Sequence, residues 1–128
     1  MTEKIKISSG VKWESIVGYS RAVKAGNMIF IGGTAAADGD GNTIGINDAY
    51  AQTRFILTKI EKTMKQIGSS LEDVVRTRIF VTDISKWEEI GRAHNEFFSK
   101  IMPCCTMVEV KALINPDMLV EIEVEAVI

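Results

Sequence analysis

The last eleven residues constrain this chain more than any other stretch. Met118, Val120, Ile122, Val124 and Ala126 recur at period two, and Glu121, Glu123 and Glu125 fill the alternate positions. An extended strand with one face in an apolar core produces that pattern; a helix would scatter both sets around its axis. Three like charges in a row are unfavourable unless water or an opposite charge meets them. Residues 74–82, rich in β-branched side chains, read as a second strand. One face of it carries Val75, Thr77, Ile79 and Val81, the other Val74, Arg76, Arg78 and Phe80. Arg76 and Arg78 are therefore placed to neutralise the glutamate row. The resulting polar band is either a structural ion-pair network or the wall of a wet cleft; spacing alone favours the network.

The remaining elements follow from periodicity and breakers. Residues 4–7 alternate as a short first strand, and residues 19–24 and 27–34 form two strands around a tight turn at Ala25-Gly26-Asn27. Residues 38–42 are a turn cluster. Asn47 or Asp48 caps a helix starting near Ala49, with Phe55, Ile56, Ile60, Met64 and Ile67 on its buried stripe and Gly68 at its end. Lys59, Lys62 and Lys65 lie off that stripe and read as a solvated face rather than an anion patch. Asp83 or Ser85 caps a second helix with Trp87, Ile90, His94 and Phe97 or Phe98 inward, ending before Pro103. Residues 106–113 and 118–128 read as two closing strands around Asn115-Pro116-Asp117. The order ββ(β)-α-β-α-ββ makes residues 1–128 one α+β domain, a mixed sheet with two helices packed on one face. Met28, Phe30 and Phe80 would then be left on an uncovered face, which calls for a partner subunit.

With 128 residues, 46% hydrophobic and 25% charged, the chain can bury a core without disulfide or metal. A net charge of −2 argues against nucleic acid as a main partner. The longest apolar stretch, residues 28–37, is interrupted by Gly32, Gly33 and Thr34, so no membrane span is expected, and the charged start is unlike an export signal. Cys104 and Cys105 are adjacent, which disfavours a disulfide and suits a reducing, cytoplasmic setting. No phosphate-binding loop, dinucleotide fingerprint or H-E-x-x-H motif is present, and no cofactor is expected. Asp38, Asp40 and Asn42 mimic a calcium loop, but Thr43 stands where glycine is needed and Ala49 where the bidentate glutamate is needed. Adjacent cysteines with a single histidine do not make a zinc site of ordinary spacing. His94 reads as a core or subunit-contact residue before a general base. Cys105 as a nucleophile would need an activating base nearby.

Longer stretches resemble the RidA family of YjgF-type proteins: Gly18-Tyr19-Ser20-Arg21-Ala22-Val23, residues 26–34, Ala51-Gln52-Thr53, Asp73-Val74-Val75, Phe97-Phe98 before Pro103, residues 106–110, and Val120-Glu121-Ile122-Glu123. The resemblance implies a chorismate-mutase-like fold and a homotrimer binding small molecules in clefts between subunits. It also implies hydrolysis of enamines and imines of 2-oxo acids without a cofactor. Carried over by position, Glu121 matches the water-handling glutamate, Tyr19 the cleft tyrosine and Gly33 the strand glycine. Gly91, Cys105 and Thr106 fall at further cleft positions. There the pattern departs: Cys105 stands in place of the arginine that grips the substrate carboxylate, Gly91 in place of an asparagine, and His94 in place of an aromatic. A hydrogen bond to a charged group contributes about 1.5–3 kcal/mol, so losing the arginine should weaken carboxylate binding at least roughly tenfold. Deamination of 2-imino acids is then doubtful. Arg21, Arg76 and Arg78 read as structural or solvated before they read as a substitute cation. A different ligand, less acidic or more apolar and lined by Cys104, Cys105 and Thr106, is favoured, and a reactive Cys105 is the third alternative. The competing reading of a non-catalytic regulatory, interaction or thiol-dependent holdase protein stays open.

Overall fold

The strictness of the last strand's pattern comes from its central position. In a computed structural model describing residues 2–128, six strands form one sheet: β1 (Lys4–Ile7), β2 (Ala22–Ala25), β3 (Met28–Ala35), β4 (Val74–Val81), β5 (Cys104–Glu109) and β6 (Val120–Val127). Their spatial order is β1-β2-β3-β6-β4-β5. β6 runs antiparallel to β3 on one side and to β4 on the other. Val120, Ile122, Val124 and Ala126 are buried under the helices while Glu121, Glu123 and Glu125 turn to the other face, so its alternation carries no exceptions. Among the described strands only β4 and β5 pair in parallel.

Three helices complete the α+β fold: α1 (Lys12–Val17), α2 (Ala49–Gln66) and α3 (Trp87–Phe98). The Asp48 carboxylate caps α2, accepting from the Ala51 N–H at 2.9 Å. Gly68, at φ 83°, ends the helical path in a left-handed turn that most side chains resist. Ile56, Leu57, Ile60 and Met64 of α2, with Ile90 and Phe98 of α3, pack on Ile29, Ile31, Ile79, Ile122 and Val124 of the sheet. Each such fully buried side chain contributes about 1.5–3 kcal/mol before chain entropy is counted. Gln52 is buried among them and fully used. Its amide nitrogen donates to the Asp117 and Gly45 carbonyls at 2.8 and 3.2 Å, and its oxygen accepts from the Leu119 N–H at 2.8 Å. That side chain ties the loop before β6 to α2. On the opposite sheet face Phe30, Val108 and Val127 stand exposed.

Several local expectations need correction. α1 was not foreseen, and the segment read as strand 19–24 enters the sheet only at Ala22. β5 and β6 are not a hairpin, because β4 lies between them. A register shift between Val74 and Arg76 turns Val74 into the core and Val75 outward, reversing their expected faces. Trp87, the first residue of α3, is 56% exposed rather than inward. No described helix is long and apolar enough to cross a membrane.

Candidate functional site

Where β3 ends and β6 begins, the sheet opens into a cavity of about 480 Å³. A register shift between Ile31 and Thr34 marks this end of β3, with Gly32 and Gly33 between, and Ala35 then pairs with Glu121. Gly33 has a steric reason to lack a side chain. A Cβ there would lie 2.5 Å from Glu121 Oε2 and 3.1 Å from its Cδ. The carboxylate of Glu121 thus rests over the bare backbone of Gly33, and both line the cavity.

The opposite wall is built by the unforeseen helix. Gly18, at φ 93°, closes α1, and the Gly18 and Tyr19 N–H groups both donate to the Glu14 carbonyl at 2.8 and 3.0 Å. This turn sends Tyr19 back along the cavity, with Trp13 and Val17 beside it. The Glu14 side chain is buried and accepts from the Ser8 hydroxyl at 2.8 Å and from the hydroxyl and N–H of Ser9. It also faces Arg21, whose Nη2 is 3.6 Å from Oε2. Burial pushes the Glu14 carboxyl pKa up, but the hydrogen bonds from Ser9 and Ser8 and the Arg21 charge more than offset it, leaving the pKa below the ordinary range.

Arg21 is only 4% exposed. Its Nη1 donates to the Gly33 carbonyl at 2.6 Å and to Thr34 Oγ1 at 3.0 Å, and its Nη2 reaches the Tyr19 hydroxyl at 3.5 Å. Among the described residues its buried Nε has no acceptor. Arg21 therefore links Glu14, Tyr19 and the Gly33 bulge into one unit. Arg76 and Arg78 do something different: Arg78 Nη1 meets Glu123 Oε1 at 2.9 Å and Glu125 Oε1 at 3.0 Å, and Arg76 lies 4.0 Å from Glu125. The glutamate row is thus split, with Glu123 and Glu125 in an ion-pair network and Glu121 in the cavity wall. Burial raises the pKa of Glu121; Arg21 opposes the rise and Glu123 adds to it.

Lys59 departs from the solvated face assigned to it. It lines the cavity from α2, with Nζ 3.4 Å from the Ala37 carbonyl. Burial, then the Arg21 charge, lowers its pKa, while Glu14 and Asp38 partly compensate. A helical wheel separates Lys59 from the apolar stripe but does not show that this part of α2 borders a hollow. That information lies in distant chain segments.

Tyr19, Gly33 and Glu121 therefore come together as the motifs suggested. Gly91, Cys105 and Thr106 do not join them within one chain. Cys105 pairs with Thr77 and Thr106 with Arg78 along β5, and both side chains are exposed. Cys104 and Cys105 are free thiols. Gly91 borders a shallow hollow of about 150 Å³ with His94, Phe98, Met102 and Pro103. His94 Nε2 lies 2.9 Å from Thr77 Oγ1, its ring centroid is 4.6 Å from that of Phe98, and burial lowers its pKa. It sits there as a packed, hydrogen-bonded residue, away from Glu121's cavity.

Known proteins resemble this chain over most of its length. The model of the family described as Endoribonuclease L-PSP matches residues 10–128. The 3-aminoacrylate deaminase RutC of Acinetobacter baylyi is 34% identical over 104 residues, spanning 81% of this chain and 82% of that one. An uncharacterised protein of Streptomyces coelicolor is 35% identical over 121 residues, spanning 94% of this chain and 90% of that one. Among solved structures, a YjgF-family member from Mycobacterium tuberculosis superposes with a TM-score of 0.89 at 49% identity, covering 98% of this chain and all of that one.

Proposed function

This chain belongs to the YjgF/RidA family, and from that premise we propose that it hydrolyses small enamines or imines with a water molecule activated by Glu121. The observation that carries the reading is the Glu121 carboxylate laid over Gly33 in a cavity shared with Tyr19 and Arg21. Similarity to a protein named 3-aminoacrylate deaminase supports the same chemistry.

The reaction needs no cofactor. An enamine first takes up a solvent proton at its β-carbon, which gives the same protonated C=N group as an imine. Water then attacks the C=N carbon as Glu121 takes a proton from the water, and the C=N π electrons move to nitrogen. Glu121 then returns that proton to the nitrogen of the tetrahedral adduct. The C–N bond breaks, ammonia leaves, and the proton shed as the carbonyl forms leaves ammonium and an oxo acid. A carboxylate whose pKa is raised by burial is a stronger proton acceptor than one in water, which suits the first step. Tyr19, positioned by Arg21, borders the space in which the substrate lies.

The working assembly in this reading is a homotrimer, with Gly91, Cys105 and Thr106 of a neighbouring copy closing the cavity into an intersubunit cleft. The sheet face with exposed Phe30, Val108 and Val127 supports burial against other copies. Two exposed unpaired thiols support residence in the reducing cytoplasm. The test is ammonia release from freshly generated 2-iminobutanoate, with sedimentation to weigh the assembly. Glu121→Gln should lower kcat/KM by about 10²–10⁴-fold with the trimer intact. An inactive unaltered protein would sink the reading and favour a non-catalytic binding protein; an unimpaired Glu121→Gln would leave the protein catalytic and sink the role given to Glu121.

A further inference from the structure

A cleft for a carboxylate-bearing substrate needs a cation, and position 105 provides a thiol. The arginines do not fill the gap. Arg76 and Arg78 are engaged with Glu123 and Glu125. Arg21 lines the cavity, but its terminal nitrogens are committed to Glu14, Gly33, Thr34 and Tyr19. Resting on the hydrolytic reading above for the ligand's chemistry, we propose that Lys59 receives the carboxylate of the ligand, in the role that Cys105 cannot fill.

Three observations meet at this residue. Lys59 lines the same cavity as Glu121, which places a cation and the candidate base around one space. Among the described residues it has no carboxylate partner within 4 Å, and its single hydrogen bond, to Ala37, is long at 3.4 Å. An ammonium group carries three donors, so most of its capacity is unspent. The lysine is also half-buried beside Arg21, where a positive potential acts through less water than at the surface. Around it the cavity is apolar: Val11, Val17, Ile114 and Met118 would contact a short hydrocarbon tail and gain little from a second charge. A lysine is a point charge rather than a planar fork, so the grip is less directional than that of an arginine. That predicts tolerance for tails of different shape.

Binding and turnover separate this proposal from the hydrolytic reading. Titration of the full-length protein with 2-oxobutanoate, the oxo acid product, needs no catalysis; 2-butanone is the uncharged control. Lys59→Gln should weaken 2-oxobutanoate about ten- to hundredfold and leave 2-butanone unchanged, while Lys59→Arg keeps most of the affinity. In ammonia release, Lys59→Gln should raise KM for 2-iminobutanoate with kcat nearly constant, the signature of lost ground-state binding. Failure of the unaltered protein to bind 2-oxobutanoate overturns the proposal. So does unchanged binding in Lys59→Gln, or equal loss of both probes in both variants. If Lys59→Gln weakens binding but no variant releases ammonia, the lysine assignment stands and the hydrolytic reading falls. If Glu121-dependent turnover is indifferent to Lys59, the reverse holds.

Discussion

Glu121 and Glu123 are two residues apart on one face of one strand, and the fold puts them in different chemical worlds. Glu123 shares Arg78 with Glu125 at ion-pair distance. Glu121 faces neither Arg76 nor Arg78 at that range; it lies over Gly33, and burial raises its pKa. The difference comes from neighbours across the sheet rather than from β6 itself. Opposite Glu123, β4 supplies Arg78; opposite Glu121 it supplies Phe80. On the other edge, the β3 register shift brings bare glycine backbone against Glu121. A carboxylate engaged by an arginine has its oxygens occupied, whereas a half-buried one free of such a pair and with a raised pKa is a poised base.

The steric half of that contrast can be broken by one methyl group. In Gly33→Ala the new Cβ would meet Glu121 Oε2 at 2.5 Å, and the atom that must yield is the far end of a flexible side chain. The fold should survive with a melting temperature shifted by no more than about 4 °C. A carboxylate displaced by about 1 Å should cost on the order of a hundredfold in kcat/KM. Equal activity in Gly33→Ala, measured by ammonia release, would show that Glu121 does not work from the position it holds here.

The electrostatic half can be sharpened by pH. Glu121 acts as a base only when ionised, so activity should fall about tenfold per pH unit below its pKa. That limb should lie above the ordinary glutamate range, since burial raises the pKa and the Glu123 charge adds to the rise. Glu123→Gln removes a negative neighbour and releases Arg78 from one partner, and both changes favour ionised Glu121. The acid limb should move to lower pH. A limb that stays put in a pH profile of kcat/KM would detach Glu123 from the cavity's electrostatics.

How legible each part was in the sequence depends on how local its cause is. β6, β4 and α2 announce themselves through periodicity, because each buries one face along its length. α1 does not. Its N-cap, Val11, offers no side-chain acceptor, and Ile16 and Val17 are exposed, so no apolar stripe marks it. Val74 and Val75 exchanged faces because a bulge adds one step that composition does not mark. Within the site, Tyr19, Gly33 and Glu121 were readable from motif resemblance, but the reason for Gly33 lies on the neighbouring strand. Lys59 was misread because a helical wheel knows the helix axis and not the hollow beside it. The parallel β4–β5 pairing was hidden for the same reason: α3 separates the two strands in sequence, and local patterns give only the turn that follows.

The paired end of the row should respond least. Arg78 is about a third exposed and its carboxylate partners lie at the surface, where salt and water screen an ion pair strongly. Arg78→Ala leaves Glu123 and Glu125 facing each other at period two with only the more distant Arg76 for company. The melting temperature of the protein should fall by no more than about 4 °C, and by less at high salt, because added ions relieve the same repulsion. Turnover should change far less than in Gly33→Ala, since Glu121 keeps its bed on Gly33. Should Arg78→Ala abolish ammonia release while the chain stays folded, the row would have to be treated as one coupled network. Glu121 would then owe its chemistry to β4 as much as to the bulge in β3.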